Sequence, residues 1–101
     1  MEKELPLEVE RKIIRILISD LEIDPAILST ANSNTPLLGR GIGLNSVETL
    51  TLVAGIEETF HIQIDDADLT AELFTTLGTL TEFVLEKITD RKNGSTGADG
   101  L

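Results

Sequence analysis

Apolar residues recur at the 3.6-residue spacing of a helix along three long stretches of this chain, and only one short stretch alternates as a strand does. From about Pro6 to Asp20, the residues Leu7, Ile13, Ile14, Leu17, Ile18 and Leu21 gather on one side of the helical wheel, away from Glu8, Arg11, Lys12, Arg15 and Ser19. Pro6 suits the first turn of this helix, and Asp24-Pro25 ends it, because a proline drives the residue before it out of the helical region. A second helix is predicted from about Ser46 to Phe60. Its apolar arc, from Val47, Leu50, Val53, Ala54 and Ile56 to Phe60, is wider than one packing stripe requires, so part of it is available to a partner. Glu48, Thr51, Gly55, Glu58 and Thr59 share the opposite face. Asp65, Asp66 and Asp68 precede Leu69, Leu73 and Phe74, which predicts a short third helix with acidic residues at its positive end. Leu77, Leu80, Phe83, Val84 and Ile88 mark the last helix, capped by Thr76 or by Thr79, whose Thr79-Leu80-Thr81-Glu82 run also fits a capping box. His61-Ile62-Gln63-Ile64 alternates but has no second strand to pair with and reads as loop. The fold class is therefore all-α.

At 101 residues the chain makes one domain with one small core. That core is aliphatic: there are three Phe and no Trp, Tyr or Cys, which leaves no aromatic platform for stacking nucleic-acid bases. A net charge of −10 keeps the chain soluble, repels nucleic acids and anionic membranes, and favours basic protein surfaces. No apolar segment approaches bilayer length and no basic-then-apolar leader is present, so with the missing cysteines a cytoplasmic location is expected. The stretch between Pro25 and Gly43, rich in Ser, Thr, Asn, Pro and Gly, is pinned by Ile27, Leu28, Leu37 and Leu38, and a connection this long is often functional. From Arg91 onward the apolar content is too low to repay ordering, which sets a helical domain at 1–90 and a floppy tail at 91–101.

The chemistry concentrates at Gly41-Ile42-Gly43-Leu44-Asn45-Ser46-Val47-Glu48, a glycine-bearing loop that delivers Ser46 to the first turn of the second helix. Asn45 can cap that helix while Glu48 reaches back to close a capping box, and a negative group on Ser46 would meet the positive end of the helix dipole. Nothing makes Ser46 a nucleophile in its own right. There is no cysteine, His61 lies at the far end of the helix, and no lysine is close in sequence. The glycines lack the Gly-Lys-Ser/Thr of a phosphate loop, and the serine lacks the flanks of a nucleophile elbow. The Asp66-Ala67-Asp68 run begins like a calcium loop, but its turn glycine is an alanine and its closing glutamate is Leu77. With one histidine and no thiol, no metal centre is expected. Ser46 reads as a residue to which another enzyme attaches something.

From Thr35 to Ile64 the chain resembles the acyl carrier proteins. That family places a serine in an Asp-Ser-Leu motif at the start of its second helix, ends that helix in Glu-Glu-X-Phe and continues into an Ile-X-Ile loop. Here Ser46, Glu57-Glu58-Thr59-Phe60 and Ile62-Gln63-Ile64 hold those positions, and the outer helices extend the resemblance over roughly Leu5 to Ile88. It implies a four-helix bundle with three longer helices, one short third helix and a long first loop. It further implies that a phosphopantetheinyl transferase moves 4'-phosphopantetheine from coenzyme A onto Ser46, and that the arm carries acyl groups as thioesters in fatty-acid, polyketide or related lipid biosynthesis. The chain itself would be a monomer without catalytic activity. Acyl-loading and acyl-processing enzymes with basic docking surfaces would meet Asn45, Val47, Glu48, Thr51, Ala54, Glu57 and Glu58. Asn45 stands where the family has aspartate, Val47 where leucine is usual and Thr51 where an acidic residue is common. These departures point to a specialised carrier, with an unmodified acidic adaptor as the alternative.

Overall fold

The computed structural model describes residues 5–97, with side chains as far as Thr89. Its elements are α1 (Pro6–Ser19), α2 (Pro25–Leu28), α3 (Ser46–Phe60), a 3-10 turn (Asp66–Asp68) and α4 (Leu77–Gly97), with no strand among the described residues. The expected all-helical class holds, and α1 packs against both α3 and α4.

The buried face of α1 is Val9, Ile13, Ile16 and Leu17. This corrects the sequence-based face. Leu7 and Ile18 lie 56% and 36% exposed, and Ile14 is half-buried. The apolar side of this helix is broad, so the wheel did not show which part of it meets the rest of the molecule. In α3, Leu52, Val53, Ile56 and Phe60 are buried, as is Gly55, which had been placed on the polar face. A Cβ on Gly55 would sit 2.7 Å from Cγ2 of Ile16 and 2.8 Å from Oδ2 of Asp20, so glycine permits the close crossing of α1 and α3.

Asp24-Pro25 was expected to end α1, but the helix already stops at Ser19, where Glu22 turns into the left-handed region at φ 59° and the N–H of Ile23 donates to the carbonyl of Leu17 at 3.0 Å. The pair instead starts α2: Oδ1 of Asp24 accepts from the N–H of Ala26 at 2.9 Å, and Pro25 is already set at a helical φ. The segment expected as the third helix forms a 3-10 turn at Asp66–Asp68 and then a run of turns. Leu73, Phe74 and Thr75 each donate to the carbonyl three residues back. So short a segment cannot repay helix nucleation, and burial of Leu73 and Phe74 fixes it in this tighter form. The single-turn helix thus comes second in the chain, not third.

The long first loop is held by its own contacts. The N–H groups of Ile42 and Leu44 donate to the carbonyls of Pro36 and Leu37, each at 2.9 Å. Leu37 is fully buried, a contribution of about 1.5–3 kcal/mol that offsets the ordering of one or two loop residues. Carbonyls of Thr35 and Ser33 accept from the N–H groups of Leu77 and Gly78 at 2.8 Å, so the loop satisfies the first donors of α4. Thr76 is the cap of α4: its Oγ1 accepts from the N–H of Thr79 at 3.0 Å, which decides between the two threonines. The backbone of α4 stays helical to Gly97, past the expected domain end at residue 90, and residues 98–101 of the expected tail lie outside the described residues.

Candidate functional site

Ser46 is the first residue of α3 and is exposed. Its position follows from the cap beside it. Asn45 leaves the loop in an extended conformation, and its side-chain oxygen accepts from the N–H of Glu48 at 2.8 Å. Oε1 of Glu48 accepts from the N–H of Asn45 at 3.0 Å, closing the capping box expected from the sequence. The carbonyl of Asn45 takes the N–H of Thr49 at 2.9 Å and its hydroxyl at 2.8 Å, so the residue before Ser46 is held at its backbone N–H, its carbonyl and its side-chain oxygen. On the loop side, a Cβ at Gly41 would run into the carbonyl of Pro36, and Gly43 adopts φ +78°. The approach to Ser46 therefore depends on glycine for space at one position and for handedness at the other.

Asn45 occupies one of the donors that a helix leaves open at its start, and those of Ser46 and Val47 have no helical carbonyl four residues behind them. These donors and the helix dipole suit a phosphate ester on the Ser46 oxygen. Beside Ser46 opens a cleft of about 580 Å³, whose apolar walls are Leu38, Leu44, Leu50, Val53, Leu69 and Phe74, with Thr49 and Thr70 among its polar groups. No titratable side chain lines it. The site can thus hold an anionic ester at its rim and an apolar chain within, while it supplies no acid or base of its own. No cluster of metal-ligating side chains occurs among the described residues.

The remaining predicted residues fall into two groups. Val47, 71% exposed, Thr51, Ala54 and Glu58 succeed one another along the outer ridge of α3. Thr51 is half-buried and its hydroxyl donates to the carbonyl of Val47 at 3.1 Å. Leu50, beside them, is 59% exposed. Glu57 is engaged differently: its Oε2 accepts from the N–H of Ile64 at 2.8 Å and ties the loop after α3 to the helix. Glu58 borders a groove shared with Lys12 and Arg15 of α1. His61 caps the C-terminus of α3 in the left-handed region at φ 57°, exposed and remote from the cleft. Sequence reasoning missed the cleft, because Leu38, Leu44, Leu69 and Phe74 come from segments far apart in the chain that only the fold brings together.

The sequence model for phosphopantetheine attachment sites matches residues 11–84, a span that includes the larger part of α1, the long loop, α3, the turn segment and the start of α4. The chain belongs to that family. A phosphopantetheine-attachment domain of this helical form is a carrier domain of the acyl carrier protein type, and the family binds 4'-phosphopantetheine covalently. Such domains are non-catalytic carriers. A carrier domain implies interaction with modifying and acyl-handling enzymes, and no described helix of this one is long and apolar enough to cross a membrane.

Proposed function

We propose that Ser46 carries the 4'-phosphopantetheine and that the chain shuttles acyl intermediates between enzymes of fatty-acid, polyketide or related lipid biosynthesis in the cytoplasm. The observation behind this reading is an exposed serine hydroxyl at a capped helix start, with unoccupied backbone donors beside it and an apolar cleft at its flank. In the transfer, the Ser46 hydroxyl gives its proton to a base supplied by the transferase and forms the phosphodiester bond. The pyrophosphate link of coenzyme A breaks, and its adenosine bisphosphate half leaves. When attached, the arm supplies a terminal thiol that holds the acyl group as a thioester. The α3 ridge of Val47, Thr51, Ala54 and Glu58, with Asn45, Glu48, Leu50 and Glu57 at its edges, is the docking face for basic partner surfaces. The working unit is a monomer.

Loading from an acyl-coenzyme A by a broad-specificity transferase tests the reading. The expected product is one acyl-phosphopantetheine per chain, cleaved by neutral hydroxylamine as a thioester is and absent in Ser46→Ala. A correctly folded chain that several transferases leave unmodified would turn the reading to an unmodified adaptor.

A further inference from the structure

A second docking stripe runs along the solvent side of α1. Leu7, Arg11, Ile14 and Ile18 follow one another at spacings of four, three and four residues, the seam spacing by which one helix packs along another, with Arg15 beside them. This stripe is turned away from Val9, Ile13, Ile16 and Leu17, the face that α1 gives to α3 and α4. Leu7 is 56% and Ile18 36% exposed, Ile14 is half-buried, and both arginines are exposed.

Its charge is as unusual as its apolar content. Acidic residues outnumber Lys and Arg by 18 to 8 in this chain, yet Arg11 and Arg15 stand one turn apart and neither makes an ion pair among the described residues. Like charges at that spacing repel within the helix, and Glu8 borders the stripe without pairing. A second copy of the chain does not resolve this. Two-fold pairing through the stripe, parallel or antiparallel, brings the Arg11 and Arg15 side chains of both copies together near the axis, and it joins two molecules of net charge −10.

We propose that the outer stripe of α1 docks an acidic amphipathic helix of another protein, with apolar side chains against Leu7, Ile14 and Ile18 and carboxylates against Arg11 and Arg15. A partner held along Leu7, Arg11, Ile14 and Ile18 leaves Ser46 and its cleft open to other enzymes, and only at Arg15 does it reach the groove that α1 shares with Glu58 of α3. The molecule then has two docking faces of opposite charge preference, one for a holding partner and one for working enzymes.

The test is fluorescence anisotropy of the full chain with two labelled synthetic helical peptides. Both carry leucines at seam spacing, flanked by glutamates in one and by lysines in the other. The acidic peptide should bind, more weakly as salt is added, and the lysine peptide should not. Arg11→Glu with Arg15→Glu, and separately Leu7→Ser with Ile18→Ser, should each weaken binding at least tenfold while the circular-dichroism spectrum stays helical, and Ile27→Ser on α2 should leave binding intact. Equal binding of both peptides, no binding of either, or no loss in the two double variants would overturn the proposal. Sedimentation of the chain alone as a dimer that Leu7→Ser with Ile18→Ser dissolves would assign the stripe to a second copy. Binding to phosphatidylglycerol vesicles with the same arginine dependence would assign it to a membrane surface. Either result overturns the acidic-helix reading.

Discussion

Asn45 fixes where Ser46 sits, yet asparagine is not required for that task. Asparagine and aspartate cap a helix about equally, and the dipole would favour aspartate by only about 0.3–1 kcal/mol, so stability does not select the neutral side chain. Asn45→Asp should leave the melting temperature within a few degrees and speed phosphopantetheine transfer by a transferase with a basic docking surface. Equal initial rates at low and physiological salt would show that the residue is a neutral cap. Asn45→Ala removes one arm of the box: the N–H of Glu48 loses its side-chain acceptor, while the backbone N–H of residue 45 still has Oε1 of Glu48 to donate to. About 1 kcal/mol should be lost, roughly 4–8 °C in the melting temperature of a domain this size, and an unchanged melt would deny the cap any weight.

Among the elements, the crossing of α1 and α3 depends most on one residue. Gly55→Val places a branched side chain against Ile16 and Asp20, and overpacking of this kind costs about 1–3 kcal/mol. Thermal or urea unfolding measures it; a variant as stable as the parent would mean that the helices separate freely. The same crossing shows where sequence pattern was informative and where it was not. The extents of α1 and α3 and the capping box at Asn45 were legible, because periodicity and local hydrogen-bonding chemistry are written over neighbouring residues. The buried side of α1 was not, because Leu7, Ile14 and Ile18 look as apolar as Ile13 and Leu17 until α3 and α4 take up one side. Gly55 looked polar for want of a side chain. The short helix was misplaced because Asp24-Pro25, read as the end of α1, is the start of α2, whereas the acidic run before Leu69 leads into turns held by the burial of Leu73 and Phe74. The serine site was readable for a local reason, and its cleft was hidden for a tertiary one: segments far apart in sequence build its walls.

For the whole molecule, a net charge of −10 acts on both stability and encounter. Self-repulsion in the compact state should ease with moderate salt or magnesium and raise the melting temperature, and a melt insensitive to both would contradict this. Partner docking at α3 should weaken over the same salt range. Glu58→Lys should slow acyl transfer through a lower association rate, and it tests charge more cleanly than Glu48→Lys, which also breaks the cap. The carrier role itself depends on where the prosthetic group is attached. The most direct measurement is the intact mass and peptide map of the chain after reaction with coenzyme A and a broad-specificity phosphopantetheinyl transferase. One phosphopantetheine per chain, mapped to Ser46 and absent from Ser46→Ala, is the predicted result; a chain that stays unmodified, or carries the group on Ser19, Ser29, Ser33 or Ser95, would contradict it.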